Sequence, residues 1–169
     1  MCFGLTLIKK SELENLNNQI SVLTNNIEDL KKEVNLKEPV SLGAINWQEC
    51  FSIASKYGFK LNFSDEYFQL TTVEEAKLFC EETKVKYGTW VAEKHDCDNF
   101  SFALLGYWSR GLESFAFGYA RSSTHAFNVM IDKDKVFWIV EPQTNVWLKY
   151  EEVYKNSTYP QYQITEVLM

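Results

Sequence analysis

Cys97 sits between Asp96 and Asp98 in the stretch EKHDCDNFSFALLGYW, residues 93–108. The apolar residues Phe100, Ala103, Leu104, Tyr107 and Trp108 follow at helical spacing, which puts Cys97 in the first turn of a buried helix. Unpaired N–H groups and the positive end of a helix favour a thiolate there. The same N–H groups can receive an oxyanion formed on an attacked carbonyl. A thiolate nucleophile also needs a base or cationic partner, and a group that holds the base's ring. His125 opens the alternating run THAFNVMI, and Glu141 closes the run KVFWIVE just before Pro142. The linker DKDK makes a hairpin of these runs, which folds His125 and Glu141 together, with Gln143 as a second ring orienter. The arrangement needs no metal and no cofactor. Each residue taken alone has an inert reading: a thiol at a helix start, a histidine at a strand start, a glutamate at a strand end.

The hairpin register decides whether His125 and Glu141 share a face, because side chains alternate along a strand. If Ile131 pairs with Val136, Glu141 falls opposite Ala126, on the wrong face. If Ile131 pairs with Lys135, Glu141 falls opposite His125. If Asp132 pairs with Val136, Gln143 falls opposite His125 and Glu141 lies diagonal on the same face. Joint action of the pair therefore predicts an odd-length turn or a bulge.

Other assignments are weaker. His95, two residues before Cys97, is poorly placed to face both the sulfur and an orienter. Asp96 and Asp98 can cap the helix. Together with Glu141 they could hold calcium, but the spacing matches no EF-hand loop. Cys50 and Cys80 lie in helical apolar patterns and read as small buried hydrophobes. Cys2 as an N-terminal nucleophile lacks a following glycine. No C-x-x-C pair is present, so a structural zinc site is not expected.

The segments DCDNFSFAL, THAFNVMI and WIVEPQ resemble the papain-like cysteine peptidase domain at the C-terminal end of the mushroom agglutinin (MOA-type) family. They resemble the NlpC/P60 and bacterial transglutaminase-like cysteine peptidases more distantly. The resemblance covers roughly residues 85–145. It implies Cys97 as nucleophile, His125 as base and Glu141 as orienter. Domains of the agglutinin type also occur in bacteriophage proteins. The carbohydrate-binding β-trefoil of the agglutinins has no counterpart here.

The elements that would position these residues follow from periodicity. Leu13, Leu16, Ile20, Leu23, Ile27, Leu30 and Val34 alternate spacings of three and four, a heptad with isoleucine or valine at most a positions and leucine at d. Ser11 with Glu14 starts this helix and Pro39 stops it. The narrow stripe predicts self-association as a parallel dimer, with a trimer open because the e and g positions are mostly uncharged. Further on, Asn46 caps a helix running to Tyr57, EYFQL reads as a strand, and Thr72 with Glu75 opens a helix to Lys84. Gly106 or Gly111 ends the cysteine helix, and QYQITEVL reads as an edge strand. The expected fold is α+β, papain-like (NlpC/P60-like), a helix plus antiparallel sheet. It comprises an N-terminal coiled-coil unit over 1–38 and a globular unit over 39–169.

The chain has 169 residues, 15% aromatic, with net charge −6. That aromatic content predicts a packed core. The negative charge argues against nucleic acid as the main partner. No apolar run reaches the ~20 residues of a membrane helix. Lysines follow the apolar opening MCFGLTLI, the wrong order for a signal peptide. The expectation is a cytoplasmic or virion-associated cysteine hydrolase. It would cleave a peptide or amide bond of a peptide or protein substrate through a Cys97 thioester. The alternative is an inactive structural assembly component, such as a phage virion protein, oligomerised by its coiled coil.

Overall fold

The structure is a computed structural model that describes residues 10–34, 37–84, 89–92, 94–111, 113–156 and 158–169. The chain divides into two compact units, Met1–Lys37 and Glu38–Met169. In the first unit α1 runs from Lys10 to Val34. Along it Leu13, Leu16, Ile20, Leu23 and Ile27 are 47–60% exposed. Leu30 and Val34 of the predicted stripe lie beyond the side chains described, and Cys2 lies outside the described residues.

The second unit is α+β with a mostly antiparallel sheet. Its strands are β1 (Ala44–Asn46), β2 (Lys60–Asn62), β3 (Tyr67–Gln69), β4 (Phe117–Arg121), β5 (Ala126–Ile131), β6 (Phe137–Glu141), β7 (Val146–Lys149) and β8 (Glu166–Leu168). Its helices are α2 (Trp47–Ala54), α3 (Val73–Lys84), α4 (Cys97–Trp108) and α5 (Tyr150–Tyr154). β1 and β3 form a small antiparallel pair, and the main sheet has the order β2-β8-β4-β5-β6-β7. Only the β2–β8 pairing in it is parallel. The tail strand β8 is thus interior to the sheet, where the sequence pattern suggested an edge. Gly118 explains its fit: a Cβ there would sit 2.5 Å from the Leu168 carbonyl oxygen, so the β8 backbone approaches β4 more closely than a side chain allows.

Both faces of the sheet are covered, and all six residues of β5 are buried. One face carries Phe127, Val129, Ile131, Phe137 and Ile139, packed with Cys50 and Ala54 of α2, Val153 of α5, and Ile164 and Val167 of the tail. The other face receives α4. Trp108 stacks on Phe117 at 4.5 Å, Phe102 stacks on Tyr119 at 4.5 Å, and the buried Asn128 donates from Nδ2 to the Ser101 carbonyl at 3.0 Å. Alternation along β5 therefore sends odd residues to the main core and Asn128 to α4.

Local chemistry accounts for the helix boundaries. Asn46 and Glu49 form a complete capping box at α2, and a 3-10 turn Ser55–Tyr57 extends it to Gly58, whose φ of 79° is left-handed. Thr72 Oγ1 accepts from the Glu75 N–H at 3.0 Å at the start of α3. α4 runs through Gly106 and ends at Ser109, whose hydroxyl donates back to the Leu105 carbonyl at 2.8 Å.

Candidate functional site

The hairpin turn sets the site. Asp132 Oδ1 accepts from the N–H groups of Asp134 and Val136, and Oδ2 accepts from Trp138 Nε1 at 2.8 Å. Lys135 takes a φ of 61°, so Lys133–Lys135 makes a three-residue loop with its last residue left-handed. The Asp132 N–H donates to the Val136 carbonyl at 3.1 Å, and Asn128 pairs with Val140. This is the odd-length turn that puts His125 and Glu141 on one face, with Glu141 diagonal to His125.

The two side chains meet. His125 Nε2 lies 2.7 Å from Glu141 Oε2, with the side chains 18% and 9% exposed. Against a carboxylate that only accepts, Nε2 is the donor of this pair, and in a neutral ring Nδ1 is then an acceptor. Among the described residues Nδ1 has no hydrogen-bond partner. Glu141 takes two further donors: the Tyr162 hydroxyl at 3.1 Å to the same Oε2, and the Gln143 N–H at 3.3 Å to Oε1. Gln143 therefore enters through its backbone, within the turn after β6, and not as an amide orienter. Burial first, and the Glu141 charge second, raise the Tyr162 phenol well above its ordinary value, so it is a neutral donor. The Tyr162 ring packs edge-on against Phe127 at 5.2 Å and lies 5.7 Å from the His125 ring. It comes from the 3-10 turn Pro160–Tyr162. No spacing in the sequence singles it out.

Cys97 belongs to α4, and not to the hairpin or the tail that carry this cluster. It opens α4, and the Ser101 hydroxyl donates to its carbonyl at 2.7 Å. α4 covers the Asn128 face, whereas the ring neighbours of His125 are Phe127 and Tyr162 on the opposite side. No hydrogen bond joins Cys97 Sγ to the His125 ring among the described residues. The flanking acids shape the helix start. The Asp96 N–H donates to Asn99 Oδ1 at 3.1 Å, and Asp98 Oδ1 accepts from the Asn99 N–H at 2.8 Å. A hydrogen bond shared with Asp96, then slight desolvation, raises the Asp98 carboxyl. His95 packs 4.7 Å from the Phe100 ring. Among the described residues no group of three or more His, Cys, Asp or Glu could hold a metal ion. No helix there is long and apolar enough to cross a membrane.

No protein-family model matches the chain, and no curated protein does. Solved structures do. A complex of PSL1a with E64 matches with a TM-score of 0.59 at 15% identity, over 75% of this chain and 51% of that one. The fold of this chain resembles that of a mushroom lectin. Polyporus squamosus lectin bound to the human-type influenza-binding epitope Neu5Acα2-6Galβ1-4GlcNAc matches with a TM-score of 0.55 at 16% identity, over 75% of this chain and 49% of that one. The chain thus spans about half the length of these lectins. The expected resemblance to the mushroom agglutinin family stands only as a fold similar to that of a mushroom lectin, and its papain-like peptidase reading does not stand. These neighbours overturn the expected cysteine hydrolase acting on a peptide or amide bond through a Cys97 thioester: they are lectins, one of them bound to a glycan. They support neither a peptide substrate nor the structural assembly component.

Proposed function

We propose that the globular unit is a carbohydrate-binding domain whose ligand contacts centre on His125. The observation that carries this reading is the fixed imidazole. Glu141 holds Nε2–H, and Nδ1 remains as an oriented acceptor at a partly exposed position. A sugar hydroxyl can donate to such a nitrogen, and the neighbouring Tyr162 ring offers an apolar surface of the kind that binding sites combine with a few fixed polar groups. A fold shared with a lectin solved with a sialylated trisaccharide supports the ligand class.

Calorimetric titration with Neu5Acα2-6Galβ1-4GlcNAc, and with the same glycan lacking sialic acid, tests the reading. Binding of either glycan is expected, weakened roughly 2- to 10-fold by His125→Ala, the worth of one hydrogen bond, and unaffected by Cys97→Ala. E64 serves as a second probe because PSL1a was solved with it. E64 binding that depends on Cys97, in a chain that binds neither glycan, would overturn the reading.

We also propose that α1 joins copies of the chain as a parallel coiled coil. Its a and d residues from Leu13 to Ile27 are about half exposed, and a stripe this narrow fits the seam of a like helix. Light scattering of the whole chain should give a dimer or trimer mass, and a monomer would refute it.

A further inference from the structure

We propose that Tyr162 is a positioning residue: by donating to Glu141 Oε2 it fixes the carboxylate oxygen that in turn fixes the His125 ring. The proposal rests on the reading of His125 as a ligand-contacting group. Three observations carry it. The Tyr162 hydroxyl and His125 Nε2 converge on one oxygen, at 3.1 and 2.7 Å. The Gln143 N–H takes the other oxygen, so both oxygens of a nearly buried carboxylate are held from fixed elements. Tyr162 is itself braced. Its ring packs edge-on against Phe127, and the residues after it are tied down by Gln163 Nε2 donating to the Val153 carbonyl and the Ile164 N–H donating to the Tyr150 hydroxyl. A carboxylate with one oxygen anchored and the other shared by two donors cannot rotate without losing a hydrogen bond, and a buried donor left unmade is costly. The imidazole then keeps a single tautomer, with Nδ1 as the ligand-facing acceptor. Removing only the hydroxyl keeps the ring contact with Phe127 and frees the carboxylate.

Imidazole 15N NMR reads this directly. His95→Gln separates the two histidines of the chain. The native chain should show His125 as the Nε2–H tautomer, with a through-space contact between the Nε2 proton and the Tyr162 hydroxyl proton. Tyr162→Phe should admit the Nδ1–H tautomer and weaken glycan binding roughly 2- to 10-fold, while backbone amide spectra stay unchanged. In a Glu141→Gln background, Tyr162→Phe should add nothing to the tautomer shift. An unchanged Nε2–H tautomer in folded Tyr162→Phe, or a full effect persisting beside Glu141→Gln, would overturn the proposal. So would the absence of the proton–proton contact in the native chain, which decides the matter even if Tyr162→Phe does not fold. If no glycan binds, the binding reading fails while the tautomer measurement still tests Tyr162.

Discussion

At Glu141 three donors meet one carboxylate that is almost out of reach of water. Glu141→Ala would leave the His125 N–H and the Tyr162 hydroxyl without an acceptor, at a cost of roughly 2–5 kcal/mol for two unpaired groups. Glu141→Gln keeps an acceptor and should cost about 1 kcal/mol. Urea denaturation of both variants checks the difference. The cysteines separate by environment. Burial pushes the Cys50 thiol up to about 12, with the Glu49 charge adding to it. Burial also pushes Cys80 up to about 12 against a smaller opposing effect of Trp108. Cys97 is only half-buried. Iodoacetamide at mild alkaline pH should therefore mark Cys97 well ahead of Cys50 and Cys80 in the native chain, as read by peptide mass spectrometry. The buried groups also set an alkaline limit. Unfolded thiols ionise near ~8.5 and tyrosine near ~10, whereas folded Cys50, Cys80 and Tyr150 hold their protons to about 12. A folded-state pKa raised in this way gives stability that is complete below the unfolded value and is lost as pH rises through the folded one. Melting temperature should thus fall between pH ~8.5 and 12, and Cys50→Ala with Cys80→Ala should flatten the first part of that slope. An equal slope in the double variant would contradict the account.

The helices α1 to α4 and the central hairpin were legible in the sequence because their signals are local, whereas the five-residue α5 went unread. The Asn46 capping box, the Thr72 cap and the apolar face of α4 each follow from a few neighbouring residues. The register was legible as a choice among three, and the Asp132 side chain together with a left-handed Lys135 makes that choice. β4 and β7 went unread: five and four residues long, they lie beside turn-rich stretches. β8 read as an edge because nothing in its own residues says that β2 pairs on its far side. That pairing is a contact distant in sequence, and Gly118 is the only local trace of it. Gly118→Ala should force β8 away from β4 and cost roughly 1–3 kcal/mol as an overpacked site. Thermal unfolding would measure the loss. Asn128→Ala should cost a similar amount by releasing α4, because it removes the donor that reaches both the Ser101 and Gly118 carbonyls. In α1 each leucine or isoleucine buried at a helix seam is worth roughly 1.5–3 kcal/mol. If copies associate through α1 as proposed, Ile20→Asn with Ile27→Asn should leave only monomers in sedimentation experiments.

Across the whole molecule, the sheet decides which candidate residues can act together. Its two covered faces separate α4 from the Phe127 face, and its strand ends gather His125, Glu141 and the tail residue Tyr162. The site is therefore a product of the hairpin and the C-terminal segment, and the cysteine that dominates the sequence pattern starts an element on the other face. The fold resembles that of the solved lectins over three quarters of the chain, and the carbohydrate ligand proposed for His125 can be tested on the whole chain. Chemical-shift mapping of the 15N-labelled chain during titration with Neu5Acα2-6Galβ1-4GlcNAc does so most directly. The account predicts saturable shifts clustered at His125, Glu141, Gln143 and Tyr162, weakened in His125→Ala. An unperturbed spectrum, or shifts confined to the start of α4 around Cys97, would contradict it.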